Sequence, residues 1–161
     1  MWGIIATWRM ALEGVRSTLP SLAGGGSAGD AIEQAIKAVE DFPYYKSVGY
    51  GGLPNRQGQV ELDAAYMDGS RLDFGAVCGI PVNNVLVAQG ARQYALDHGF
   101  EAKEMLTDRA QIHYHNRQVE LAQEQGLSAY DGHDTVGMVA LDAHNHMVAG
   151  TSTSGLFMKH P

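Results

Sequence analysis

The sequence predicts an α+β or a layered αββα arrangement, and three observations point that way. Residues 28–39 carry apolar side chains at three-and-four spacing, which marks one amphipathic helix. Several short apolar runs rich in strand-forming residues are separated by turn signals. Their order along the chain is helix, strands, helix, strands, and the apolar faces of such elements must be buried against one another in layers. At 161 residues the chain forms one domain with a sizeable core, residues 1–161, without an internal repeat.

The elements follow in order. Trp2 to Trp8 is apolar and reads as a buried strand. Residues 17–29, rich in Ser, Pro and Gly, read as a loop. Ser27 then caps a helix running to about Asp41: Ala28, Ala31, Ile32, Ala35, Ile36 and Val39 form its apolar face, and Asp30 and Glu33 sit where the helix dipole favours anions. Pro43 closes it, and residues 47–54 form turns. Residues 60–67 and 74–80 are candidate strands either side of the Asp68-Gly69 turn. Val85 to Ala88 is a further strand, and Gln89 to His98 a helix ended by Gly99. Residues 101–132 are polar, with a possible amphipathic helix before a loop at 128–132. Thr135 to Leu141 is apolar on both faces, as a strand held between two layers would be. Asn145 turns the chain, and His146 to Ser152 returns as a second strand.

Composition narrows the function classes. Hydrophobic residues make up 45% and charged residues 18%, a globular balance. The formal net charge of -7, with scattered Lys and Arg, leaves no basic stripe for nucleic acid. No apolar run reaches the roughly 18 residues of a membrane helix. The N-terminus lacks the basic and long apolar regions of a signal peptide, so a cytoplasmic location is expected. The single cysteine, Cys78, lies in an apolar run and reads as a small buried hydrophobe.

Two motifs reduce to structural readings. Gly24 to Gly29 matches the dinucleotide pattern G-x-G-x-x-G, but no strand precedes it and no acid stands about 20 residues on, so it is a loop and helix cap. The pairs His113/His115 and His144/His146 have i,i+2 spacing, which on a strand puts both rings on one face and can serve zinc. No cysteine or H-E-x-x-H accompanies them. Solvated histidines are the expected reading, a metal-binding module the distant alternative, and neither metal nor cofactor is expected.

The strongest signal is Gly132-His133-Asp134-Thr135-Val136-Gly137-Met138-Val139-Ala140-Leu141-Asp142. A threonine hydroxyl is a weak nucleophile and needs a neighbouring base. Cutting the Asp134–Thr135 bond would free the Thr135 α-amino group, a base with a pKa of about 7.7–8.0 in a free chain. One residue would then carry both nucleophile and base.

That stretch, followed by Ala149-Gly150-Thr151-Ser152-Thr153-Ser154-Gly155, resembles the cleavage region of glycosylasparaginases, relatives of plant-type asparaginases and isoaspartyl peptidases. Ile5-Ala6-Thr7-Trp8, Ser47-Val48-Gly49-Tyr50-Gly51-Gly52, and Leu62-Asp63-Ala64 with Met67-Asp68-Gly69 agree in the same order. The resemblance implies a four-layer αββα sandwich of the N-terminal-nucleophile (Ntn) hydrolase kind, incomplete in this chain. Residues 1–134 would match the α-chain and 135–161 the start of the β-chain. It implies self-cleavage before Thr135, with Asp134 assisting and His133 positioning the loop, and then attack by Thr135 on the side-chain amide of an asparagine bearing N-acetylglucosamine. Thr153 would support the tetrahedral charge, Ser47 would orient the Thr135 amine, and Trp8 would line the substrate pocket. The partner implied is a small asparagine amide, with homo-oligomers of cleaved αβ units common in the family.

The family also carries a Gly-Arg-Val-Gly-Asp stretch just past the position of Pro161, which clamps the substrate, and a helical segment of about 15–20 residues near Cys78 to Asn83, as the resemblance has it. Neither is present. The chain is therefore expected to be an N-terminal fragment or truncated form. Its 161 residues alone would then be catalytically inert, with the 27 residues after Asp134 too few to fold by themselves.

Overall fold

The computed structural model of the protein describes residues 1–77, 85–86, 88–123 and 135–160. Along the chain come β1 (Gly3–Ala6), a 3-10 turn (Arg9–Ala11), α1 (Leu12–Ala23), α2 (Ala28–Glu40), β2 (Asp63–Asp68) and β3 (Asp73–Val77). Then follow β4 (Val85–Leu86), α3 (Ala88–Asp97), α4 (Asp108–Gln123), β5 (Val136–Leu141) and β6 (Met147–Thr153). The strands form one mixed sheet in the order β1-β5-β6-β2-β3-β4, antiparallel throughout except for the parallel β3–β4 pair. The last two strands of the chain thus enter the middle of the sheet. β5 lies between β1 and β6, and β6 pairs with β2.

The core is built on one face. Strand alternation sends Val136, Met138 and Ala140 of β5 and Val148 of β6 to the same side, where they pack beneath Ala28, Ile32, Ala35 and Val39 of α2. α2 starts where the sequence places it. The Ser27 hydroxyl accepts a hydrogen bond from the Asp30 amide at 3.0 Å, satisfying one of the first-turn donors. The opposite face of the sheet carries Ile5, Met67, Phe74, Val139 and Leu141, with Ile5 73% exposed. Thr135 to Leu141 is therefore covered on one side among the described residues, rather than on both.

Three sequence expectations need correction. Residues 17–23 are not a loop: they complete α1, despite Pro20. α1 buries Gly14, Thr18 and Leu22, one residue per turn, and lies so close to α2 that a Cβ on Gly14 would stand 2.4 Å from the Ala35 carbonyl oxygen. This helix is held by packing more than by propensity. β1 ends at Ala6, because Trp8 turns into positive φ (62°, ψ 151°) and breaks the strand. β2 begins at Asp63, later than expected, and runs to Asp68. The alternative weighed for His113 and His115, two rings on one face of a strand, does not arise: both fall on α4, where a spacing of two residues separates side chains by about 200° around the axis.

Expectations for Cys78, His133, Asp134 and the 128–132 loop fall outside the described residues. No helix among the described residues is long and apolar enough to cross a membrane.

Candidate active site

Thr135 stands exposed at the leading end of β5. Its carbonyl oxygen accepts a hydrogen bond from the Thr7 hydroxyl at 3.0 Å, and the same hydroxyl accepts from the Gly137 amide at 2.9 Å. The Thr7 amide donates to the Gly137 carbonyl, also at 2.9 Å. Thr7 thus extends the β1–β5 pairing past the end of β1 and fixes the backbone on both sides of Val136. Next to it, Trp8 has its side chain 59% exposed and its backbone in a region close to glycine-only, at a cost of order 1–3 kcal/mol.

Thr153 ends β6, on the strand beside β5. The register pairs Val136 with Ser152, so one further step sets Thr135 opposite Thr153. The Thr153 hydroxyl donates to the Ser47 carbonyl at 3.2 Å and accepts from the Gly155 amide at 3.0 Å. The Ser47 carbonyl also accepts from the Ser154 amide at 2.7 Å. Ser47 is buried in the loop after α2. That loop is tied back by the Tyr50 amide on the Glu40 carbonyl (2.7 Å) and by Gly49, whose φ of 58° brings it against the Glu40 backbone, where a Cβ would stand 2.4 Å from the Glu40 Cα. Thr153 and Ser47 are therefore joined directly, through Ser47's carbonyl. Thr135 and Trp8 are joined through Thr7.

Two residues that the sequence reading passed over organise the two ends of β5, Thr7 at the Thr135 end and Asp142 at the β5–β6 turn. Thr7 is one; it stands inside the Ile5-Ala6-Thr7-Trp8 stretch, where only the tryptophan drew attention. Asp142 is the other. Its carboxylate, 1% exposed, accepts from the amides of His144 (2.9 Å), His146 (3.0 Å) and Ala28 (3.2 Å), and the His146 ring Nδ1 lies 3.6 Å away. Burial pushes this carboxyl up. The three backbone donors and the His146 ring pull it down further, so it lies below the ordinary carboxylate range. One side chain therefore ties the start of α2 to the β5–β6 turn.

The described histidines do not assemble a metal centre. His113 and His115 belong to α4, and His144 and His146 to the β5–β6 turn, where their rings are 6.3 Å apart. Among the described residues no group of three or more His, Cys, Asp or Glu side chains could hold a metal ion. Burial, with the charges of Lys46 and Arg109, lowers the His113 pKa.

With this geometry in place, comparison with known proteins is decisive for kinship. The family model described as asparaginase (Asparaginase_2) matches residues 6–85 and 81–161. The chain is 33% identical over 172 aligned positions to N(4)-(beta-N-acetylglucosaminyl)-L-asparaginase of Elizabethkingia miricola, covering 97% of this chain and 50% of that protein. It is 34% identical over 158 positions to isoaspartyl peptidase/L-asparaginase of Rattus norvegicus (86% and 46%), and 34% over 181 positions to plant-type L-asparaginase of Thermococcus kodakarensis (92% and 58%). The chain spans about half the length of these curated relatives. It belongs to the asparaginase family.

Proposed function

We propose that the chain carries the nucleophile-bearing part of an Ntn amidohydrolase that acts on the side-chain amide of asparagine, with Thr135 as the nucleophile. The observation that carries the reading is Thr135 itself: exposed, at the head of a central strand, its carbonyl gripped by Thr7. In the maturation step the Thr135 hydroxyl oxygen attacks the Asp134 carbonyl carbon. The C–N bond breaks, the nitrogen keeps its electron pair and takes up the hydroxyl proton, and an ester remains. Water then hydrolyses the ester, leaving the Asp134 carboxylate and a free Thr135 with both hydroxyl and α-amine. His133 and Asp134, on the N-terminal side of that bond, assist the step.

In turnover the α-amine takes the hydroxyl proton as the Thr135 oxygen attacks the substrate amide carbon. The amine product leaves protonated, and water releases aspartate from the β-aspartyl ester. Thr153 supports the tetrahedral oxyanion, Ser47 orients the amine, and Trp8 borders the pocket. The naming of the Elizabethkingia relative, and the Ser47-to-Gly52 and His133-Asp134 stretches, favour asparagine that carries N-acetylglucosamine. The open apolar face of the sheet supports a four-layer αββα arrangement completed by a second sheet, since stacked sheets bury such faces about 10 Å apart.

Mass spectrometry of the purified chain tests the reading. Two products are expected, the smaller beginning at Thr135, and a Thr135→Ala variant should stay whole. A wild-type chain cut at another bond, or a Thr135→Ala variant cut at the same place, refutes it, and a full-length relative carrying this segment that stays intact after prolonged incubation does so too.

A second reading is supported by the uncovered sheet face: the 161 residues are inert alone. Steady release of product from aspartyl-anilide by this chain would refute that.

A further inference from the structure

The β1–β5 ladder stops short of Thr135. Its register, continued from Ala6 opposite Met138, sets Thr7 opposite Gly137, and two further residues of strand would set Arg9 opposite Thr135. A hydrogen-bonded antiparallel pair exchanges two backbone bonds. Thr7 and Gly137 exchange one. The Thr7 amide donates to the Gly137 carbonyl at 2.9 Å, but the Gly137 amide donates to the Thr7 hydroxyl, also at 2.9 Å, in place of the Thr7 carbonyl. The hydroxyl in turn donates to the Thr135 carbonyl at 3.0 Å, the bond that the Arg9 amide would make in a continued strand. A side chain replaces the main chain at the head of β5.

The cause is Trp8. At φ 62° and ψ 151° its backbone occupies a region that residues other than glycine rarely enter, and there the chain leaves the ladder for the 3-10 turn of Arg9–Ala11. Such a conformation persists only when its surroundings fix it from both sides. On one side Thr7 is tied to β5 by the bonds above. On the other, the Ala11 amide donates to the Trp8 carbonyl at 3.2 Å, Ala11 lies in the core, and the Tyr45 hydroxyl donates to the Met10 carbonyl at 3.2 Å. A straight strand would carry Arg9 alongside Thr135. The turn instead leaves Thr135 exposed, with no backbone partner on the β1 side among the described residues.

We infer that Trp8 is a positioning residue through its backbone. Its positive-φ turn peels the chain away from the head of β5 and keeps Thr135 uncovered, while the Thr7 hydroxyl holds the strand that the main chain has left. The inference rests on Thr135 as the nucleophile, and it is separate from the place of the indole ring at the pocket.

The test compares two variants of the whole chain that both lack the indole, so that loss of the ring cancels. Glycine enters positive φ freely, whereas valine, branched at Cβ, is barred from it. Trp8→Gly should be cut before Thr135 at least about tenfold faster than Trp8→Val, followed by mass spectrometry, with both keeping the wild-type circular dichroism spectrum. Amide hydrogen exchange at Gly137 should be about tenfold slower in Trp8→Gly than in Trp8→Val, because only the first keeps the Thr7 hydroxyl in place. If Trp8→Val does not fold, Trp8→Ala replaces it, with the same order expected. Equal cutting of two folded variants, or equal exchange at Gly137, would overturn the inference. If no form is cut, wild type included, what fails is the self-cleavage of this chain, and exchange at Gly137 still decides the part played by Trp8.

Discussion

The hydroxyl of Thr7 works in both directions, donating to the Thr135 carbonyl and accepting from the Gly137 amide. Valine has threonine's shape without the hydroxyl, so Thr7→Val should slow cleavage at the Asp134–Thr135 bond by about tenfold, the worth of one or two hydrogen bonds. Thr7→Ser should restore it, with the cut fraction followed by mass spectrometry. Asp142 yields a prediction of a different kind. Its folded carboxyl lies below its unfolded value, so its stabilisation is present above about pH 4 and disappears as pH falls through the folded pKa. Asp142→Asn should cost about 1–3 kcal/mol at neutral pH, with wild type and variant converging in acid when urea unfolding is measured across pH. The sequence disclosed neither residue's part. A threonine before a tryptophan and an aspartate before a turn are ordinary until strand register and burial bring their partners to them.

Among the elements, legibility followed the strength of local signals. α2 could be read because its cap, its charge placement and its apolar period agree. α1 could not: Gly14, Thr18 and Leu22 are a weak stripe, and the composition of residues 17–29 speaks for a loop. What holds α1 is contact with α2, which no single segment reveals. A paired measurement follows. Gly14→Ala sets a Cβ 2.4 Å from a backbone oxygen that cannot rotate away, and should destabilise by about 1–3 kcal/mol. Gly150→Ala meets side-chain carbons instead of backbone: the Ile36 Cδ1 at 2.9 Å, a chain end that can turn aside, and the Ile32 Cγ2 at 2.8 Å, which must shift with its side chain. Its loss in thermal unfolding should be the smaller of the two.

For the molecule as a whole, the reading of a strand apolar on both sides was sound as chemistry, though among the described residues only one side is covered. Ile5, Met67 and Phe74 stand on an open apolar sheet face of the kind that marks an interaction surface or an aggregation hazard. The dye anilinonaphthalene sulfonate should bind there. Ile5→Lys and Met67→Lys should each reduce its fluorescence while shifting stability by no more than about 0.5 kcal/mol. The four-layer arrangement was inferred from kinship, because a sequence records that a face is apolar and not what lies against it.

The place of β5 between β1 and β6, with β6 on β2, has a consequence for the life of the protein after a cut before Thr135. The 27 residues that follow are too few to fold alone, yet they are the middle of the sheet and would stay zipped on both sides. Folding of the uncut chain is a one-body event, whereas recovery of the nicked form is a two-body encounter governed by concentration. Maturation would act as a ratchet: the intact precursor can refold after melting, and the dilute mature protein, once its central ribbon is lost, cannot readily reassemble.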